Sequence, residues 1–421
     1  MIAITDPKAY TQATHRTRAA LLDGRRPEVA PRPVIGASWN RMRAFGVQPG
    51  QRPSVDPLGE ADLVARRATS GLGPLLPLLR ANLLPACEAV GQIMVVADPT
   101  GRVLWREGRA AMRRHADDLG FVDGSAWTES NVGTNAIGTA IVTREPVHIH
   151  AAEHYAEDHT RWTCAASPLL DPVTHKMLGV VDVSGPAHTV HAGTVSLVAL
   201  AARLVEAELR ASHQERLSEL RAIAAPLLAR VGGRALVVTP DGATAAVTGL
   251  LAPEEIALPD ELGGGGEVWL PALGRASAEP LPGGWLLRLI DPADDAAAVT
   301  RIALDLTGPA PRLTLWSGGG SWSHEPSPRH TELLVALLRS PIGRTAAQLA
   351  ADLFGDPTRT VTVRAEISRL RKVLGPVLGH RPYAIAPGID HALALPEQSA
   401  MVLPGSSAPV IAALRTSGSS A

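Results

Sequence analysis

The chain has 421 residues, enough for about two to four domains that each bury a core of their own. Charge is nearly balanced, 40 basic residues against 41 acidic, so any nucleic-acid contact must come from a local patch. Aromatic residues make up 3%, which argues against single-strand binding by base stacking. The two cysteines, Cys87 and Cys164, are too few for a disulfide framework and fit a reducing compartment. Near the start, Asp6, Lys8, Arg16, Arg18 and Asp23 leave no room for the apolar core of a secretory signal. No apolar run approaches the ~18–20 residues that span a bilayer, so the expected location is cytoplasmic, with no membrane partner.

Residues 1–80 read as a helical N-terminal region. Ala9–Leu22 and Val34–Phe45 have the composition of helices, separated by the Pro-rich link Arg26–Pro33 and followed by a second link, Pro49–Pro57. Leu72–Leu84 is apolar and leads into the next segment. Over residues 81–193 short strands take over. Gln92–Ala97 returns after the Asp98–Gly101 turn as Arg102–Arg106, and Val147–His150, Ala165–Leu170 and Leu178–Val183 follow. Helical segments are expected near Arg109–Asp118 and Val132–Val142. One antiparallel sheet with flanking helices, an α+β sensor-like layout, is what this order predicts.

The words SWNRMRAFGVQP, ADPTGRVLWREG, LGFVDGSAWTESNVGTNAIGTAI, REPVHI, AEHY, WTCAASPLLDP and LGVVDVSGP follow in order across about residues 35–210. Through them the chain resembles the GAF-domain half of bacterial activators of the acetoin-catabolism-regulator type, WTE-x4-GTNAIGTA being the most specific word. The resemblance implies a small-molecule sensor whose effector sits between the sheet and a helix-and-loop lid. In those activators an AAA+ ATPase domain with a P-loop follows, and no G-x4-G-K-[ST] occurs here. The Gly263–Gly266 run has no Lys-Ser/Thr after it and reads as a flexible loop. A sensor half joined to a different output domain is therefore expected, with no cofactor and no enzymatic activity.

Residues 194–230 read as a connecting helix. Leu197, Ala201, Leu204, Leu217 and Leu220 within Thr194–Ala224 are spaced either for a homodimer seam or for capping the sensor sheet. Residues 231–295 read as a small β-rich domain, PAS-like as one option, with Ala235–Thr239, Thr244–Val247, Glu267–Leu270 and Gly284–Ile290 as strands.

The last segment, residues 296–397, opens with strands at Arg301–Leu306 and Arg312–Trp316. Ser327-Pro328 starts a helix by cap and N1 proline, with Leu333, Leu334, Leu337 and Leu338 as its apolar face. Thr345–Phe354 is a second helix and Thr360–Gly375 a third, with Thr360 as its expected N-cap. On the third, Val363, Ile367, Leu370 and Leu374 form one stripe, while Ala365, Ser368, Arg369 and Lys372 face away and Arg364 and Arg371 lie on a flank. From Arg359 to Arg381 six basic residues stand against one acid, Glu366, a local charge of +5. Arg381–Ile385 and the Pro387-Gly388 turn read as a β-hairpin, and residues 398–421 as a disordered tail. In SPRHTELLVALLRSPIGR, QLAADLFGD and VRAEISRLRKVLG the segment resembles the winged-helix output domains of OmpR-type response regulators and actinobacterial antibiotic regulators. That resemblance implies a reader helix for duplex DNA, with Thr362, Arg364, Ala365, Ser368, Arg369, Arg371, Lys372, Arg381 and Tyr383 as candidate contacts.

Three constellations in the sensor remain to be weighed. His148, His150, His154 and His159 with Glu153 and Asp158 have workable metal-ligand spacing, yet only Glu153-His154-Tyr155 follows the family-like pattern, and no metal is expected. Trp127, Asn131, Thr134 and Asn135 lie in a Gly-punctuated stretch and serve either as turn and cap residues or, with His154 and Cys164, as effector contacts. Cys164 also opens an alternative: a redox sensor or a GAF enzyme like the free methionine sulfoxide reductases, against which stands the lack of an attacking and resolving pair. The expectation is thus a multidomain α+β protein, comprising a GAF-type sensor, a β-rich middle domain and a C-terminal winged helix-turn-helix. It would be a homodimeric transcription regulator whose partners are double-stranded DNA, an unknown small-molecule effector and RNA polymerase.

Overall fold

The structure, a computed structural model, describes residues 7–50, 55–189, 191, 193–251, 253–259, 262, 265–271, 273–290, 299–308, 310–318, 320–403 and 406–417. It is multidomain, with helices and several sheets, and divides into two compact units between Ala211 and Ser212. Among the described residues no helix is long and apolar enough to cross a membrane.

The first unit begins with α1 (Pro7–Leu22), α2 (Pro33–Ala44), α3 (Glu60–Thr69) and α4 (Leu76–Val90). Strands β1 (Ile93–Ala97) and β2 (Val103–Glu107) follow, then α5 (Ala110–Asp117), α6 (Glu129–Val132) and α7 (Ala136–Thr143), and finally β3 (Val147–His150), β4 (Trp162–Leu170) and β5 (Met177–Pro186). The strands form one antiparallel sheet in the order β2-β1-β5-β4-β3. Strand β1 reads IMVVA and is buried throughout, because both faces of the sheet are covered. The two-residue period divides it: Ile93, Val95 and Ala97 join Trp39, Trp127 and Ile137 on one face, while Met94 and Val96 join Leu79, Leu83, Val198 and Val205 on the other. The N-terminal helices are thus part of this unit's packing. Arg32 makes a paired contact to Glu153 at 2.7 Å, and Tyr10 Oη donates to the same carboxylate at 2.7 Å.

Helix α8 (Thr194–Leu228) crosses the boundary between the units. Val198, Ala201, Ala202 and Val205 cover the first sheet, and Leu217, Leu220, Ala224 and Leu228 pack on the next one. That second sheet contains β6 (Ala235–Val238), β7 (Thr244–Thr248), β8 (Gly266–Leu270), β9 (Gly274–Leu281) and β10 (Gly284–Leu289) in the order β7-β6-β10-β9-β8. Strand for strand this repeats the order of the first sheet. Strand β9 escapes sequence reading because GRASAEPL has little β propensity; pairing with β8 and β10 on both edges holds it, with Ala276 and Ala278 buried. Of the expected Gly263–Gly266 loop, Gly263 and Gly264 lie outside the described residues.

The rest of the second unit is a sheet of β11 (Val299–Asp305), β12 (Arg312–Ser317) and β13 (Gly320–His324) under α9 (Pro328–Leu338), α10 (Ala346–Phe354) and α11 (Thr360–Leu374), completed by β14 (Asp390–Ala394) and α12 (Pro409–Ser417). The sheet order is β13-β12-β11-β14. Three expectations are corrected here. The residues after the Pro387-Gly388 turn do not pair back onto 381–385; β14 instead joins β11 in parallel, and Leu378 bridges Ile385 in a short ribbon. The position before α11 is Arg359 with no side-chain cap, so Thr360 is already helical. The tail is not structureless over its described part: α12 buries Ile411 and Leu414 in the same core as α9. A Ser/Gly-rich setting masked the amphipathic word PVIAALR. With α12 present, all of Thr331–Leu338 is buried, more than the single apolar face of α9 predicts.

Candidate functional site

A cleft with about 310 Å³ of empty space, its mouth included, opens on the first unit's sheet where α7 and the 151–161 loop face it. Four of the six expected effector contacts line it: Trp127, Asn135, His154 and Cys164. Its apolar walls include Phe121, Ile137 and Trp162, and Phe121 lies 4.0 Å from Trp127 between ring centroids. Trp127 stacks on His159 at 5.2 Å and donates its indole N–H to Ser125 Oγ at 2.9 Å, so the wall is fixed from behind.

The word WTESNVGTNAIGTA builds the wall and its anchor together. Thr128 caps α6, and Asn135 caps α7 by accepting from Gly138 N at 2.9 Å. Glu129, 3% exposed, is a hub: it accepts from Arg41 Nε at 2.6 Å, Ser38 Oγ at 2.6 Å and Thr139 Oγ1 at 2.8 Å. A Cβ at Gly138 would stand 2.6 Å from the Glu129 amide nitrogen, so only glycine lets α6 and α7 approach this closely. Thr134 is 2.7 Å from Ser38 Oγ and belongs to that hub, and Asn131 bonds with Thr128; neither lines the cleft. Of this stretch, Asn131 and Thr134 serve turns and caps, Trp127 lines the cleft, and Asn135 does both.

The floor of the cleft comes from β4 and β5: Cys164, Asp182 and Ser184. Ser184 Oγ donates to Asp182 Oδ2 at 2.6 Å, while Asp182 Oδ1 is buried with no partner. Burial pushes the Asp182 carboxyl up to about 7. Burial also pushes the Cys164 thiol well above its ordinary value, the opposite of an activated thiolate, and raises Cys87 to about 12. His154 and His159 are held neutral, lowered by burial to about 3 and about 4. His154 Nδ1 lies 3.0 Å from Ala151 O, and both ring nitrogens of His159 lack partners. His148 Nε2 is 3.0 Å from Thr163 Oγ1 and His150 Nε2 is 2.8 Å from Thr11 Oγ1, so these two histidines are engaged elsewhere. Among the described residues no group of three His, Cys, Asp or Glu side chains converges to hold a metal ion. Sequence reading passed over Asp182 and Ser184; the visible signal was an acid inside the apolar strand VVDVS.

In the second unit α11 buries Val363, Ile367, Leu370 and Leu374 and exposes Thr362, Arg364, Ala365, Ser368, Arg369 and Lys372. Arg369 Nη1 reaches Glu366 at 2.6 Å, and Arg381 is exposed in the 379–384 turn. Two expected contacts fall elsewhere. Arg371 is half-buried and donates to Gly379 O at 2.8 Å, tying α11 to the ribbon. Tyr383 is buried and its backbone bridges Arg344, with both hydrogen bonds at 2.8 Å.

Residues 13–206, the segment that carries the cleft, match the family model described as the MimR N-terminal domain. Among individual proteins, the chain is 27% identical over 399 residues to an uncharacterised 47.3 kDa protein of the thcA 5′ region of Rhodococcus erythropolis, covering 91% of this chain and 73% of that one. It is 33% identical over 220 residues to AcoR, the acetoin dehydrogenase operon transcriptional activator of Bacillus subtilis, covering 52% of this chain and 35% of AcoR. The chain thus matches about a third of AcoR's length. A solved Escherichia coli chain, from the DhaR(N)–DhaL complex, aligns at 20% identity and a TM-score of 0.41 over 62% of this chain and 100% of that one. The similarity is to transcription regulators of the MimR and AcoR sensor type, and the named relatives are regulators of operons.

Proposed function

We propose that the chain is a transcription regulator in which the cleft of the first unit binds a small effector and α11 of the second unit reads duplex DNA. The sensor is of GAF type in this reading and the C-terminal helices with their ribbon act as a winged helix. The observation that carries the output half is α11 itself: one apolar stripe is buried and a basic face with small residues at its centre is left open. Such a face fits a major groove, where Arg can pair with guanine and Ala or Ser allow close approach. The relatives' roles at operons support the same reading. A homodimer is part of it, since α8 leaves Leu200 and Leu204 exposed and paired half-sites suit two copies. RNA polymerase is the expected downstream partner. Effector binding would act by linkage, shifting the arrangement of two protomers and so the fit to paired sites.

The test is selection of bound DNA from a random pool by the full chain, followed by titration against salt. If Arg359, Arg364, Lys372 and their neighbours neutralise several phosphates, log K should fall with log salt at a slope of about −3 to −4 for each protomer bound. Arg369→Ala should cost roughly 1–3 kcal/mol on the selected site and relax choice at one position. Enrichment of no sequence, or a folded Arg369→Ala and Lys372→Ala double variant that binds as selectively as the parent, would remove α11 as the reader.

A further inference from the structure

Of the three exposed cations on α11, Arg364, Arg369 and Lys372, only Arg369 has an ion-pair partner among the described residues. That partner is Glu366, the single acid between Arg359 and Arg381. Arg369 Nη1 donates to Glu366 Oε1 at 2.6 Å across one turn of the helix. The two side chains are unequal: Arg369 is 50% exposed, whereas Glu366 is 16% exposed and borders the buried stripe beside Val363 and Leu370. Its other oxygen, Oε2, faces His330 Nε2 of α9 at 3.5 Å, and that nitrogen is buried with no hydrogen bond. We propose that Glu366 is a positioning residue for base choice: it holds the Arg369 guanidinium in one place on the open face of α11. This rests on the reading of α11 as the DNA-contacting helix and adds to it a residue that acts only through Arg369.

An i,i+3 pair with an exposed Arg adds little to stability, since solvent screens it and both side chains lose freedom. Its effect on recognition is different. A free Arg must give up most of its rotamers to meet a base, and an Arg already held has less left to lose. One proton spent on Glu366 still leaves Nη2 and the second Nη1 proton for O6 and N7 of a guanine. The acid itself is fixed from the side of the core. Burial works to raise the Glu366 carboxyl, yet His330 and Arg369 hold it below its ordinary value, so it is ionised at neutral pH. His330 stands in the first turn of α9, where its backbone N–H donates to the Ser327 hydroxyl cap at 3.3 Å. Arg364 and Lys372 have no such support, which suits contacts with phosphates, where the direction of approach matters less.

The test takes the site selected by the full chain and measures binding to it, to its base variants and to an unrelated duplex by fluorescence anisotropy. Arg369→Ala first identifies the position whose choice it relaxes. Glu366→Ala should lose about five- to tenfold in discrimination at that same position, more than any change on the unrelated duplex. Glu366→Gln, which removes the charge but keeps an acceptor for Arg369, should retain most of the discrimination. In the double variant, Glu366→Ala should add nothing to Arg369→Ala. Thermal unfolding checks that the variants fold; should Glu366→Ala not fold, Glu366→Met, of similar length and with no oxygen acceptor, reads the same loss. Parental discrimination in Glu366→Ala, or losses that add in the double variant, would overturn the positioning role and leave α11 as the reader. Equal shifts on every duplex in both Glu366→Ala and Glu366→Gln would reduce Glu366 to a background charge and overturn it likewise. If no sequence is selected, or Arg369→Ala relaxes no position, the reading of α11 falls and the positioning role with it.

Discussion

Asp182 is an acid on the central strand of a sheet covered on both faces, paired with Val95 on one side and Ala166 on the other. Its carboxyl ordinarily titrates near 3.8 and is raised to about 7 in the fold. The neutral form belongs to the native state: its stabilising effect is complete below about pH 4 and is lost as pH rises to about 7. Asp182→Asn should therefore raise the free energy of unfolding more at pH 8 than at pH 4, by an amount on the order of 1–3 kcal/mol. Equal shifts at both pH values would show that Asp182 does not carry this cost. Arg371 is the other informative residue. Its guanidinium holds Gly379 O, so Arg371→Ala should lower the free energy of unfolding of the second unit by about 1 kcal/mol and, on the proposed reading, also weaken DNA binding. A variant with parental stability but lower affinity would return Arg371 to the role of a pure phosphate contact.

Among the elements, α12 puts Ile411 and Leu414 into the core of the second unit. It lies against α9 and α10, and the loop before it supplies Ser406, whose hydroxyl donates to the buried Glu332 at 2.5 Å. Arg329 holds the same carboxylate at 2.5 Å. Ending the chain after residue 397 should remove the cover of α9 and expose the pocket of Ile411. The loss should be roughly 1.5–3 kcal/mol for each fully buried aliphatic side chain taken away. Chemical denaturation of the truncated chain checks this; an unchanged second-unit transition would mean that α12 is a passive addition. The other end of the chain follows the same rule. Helices α1 and α2 are fastened to the first unit by Arg32, Tyr10 and Trp39 around Glu153, and by Arg41 around Glu129.

At the scale of the molecule, the first unit holds three histidines in their neutral form, His154 and His159 fully buried and His148 half-buried. His148 and His159 are lowered to about 4 and His154 to about 3, in each case chiefly by burial. Their ordinary value is 6.5, so the stability they allow is present above that pH and is lost as pH falls through about 4. Acid should therefore unfold the first unit before the second, and a His159→Phe chain should keep its first transition to lower pH. Coincident loss of both units in a pH titration followed by hydrogen exchange would count against this.

Local pattern in the sequence outlined the strands of the first sheet, with β4 beginning at Trp162 where Ala165 was expected, as well as the long α8 and the stripe of Val363, Ile367, Leu370 and Leu374. Trp127, Asn135, His154 and Cys164 were also legible as cleft residues through the words that contain them. What the tertiary structure decided were relations between distant segments. Strand β9 exists because two neighbours pair with it, and β14 joins β11 because the sheet edge there is open to it. Thr134 and Asn131 turn to hydrogen bonds around α6, and Tyr383 to the core, since local pattern fixes which face a residue takes but not what lies opposite. Asp182 and His159 come from segments 23 positions apart and line one cleft only because β5 and the 151–161 loop meet there. Spacing along the chain encodes local geometry; burial, and with it every shifted pKa and unpaired atom in that cleft, is a property of the packed whole.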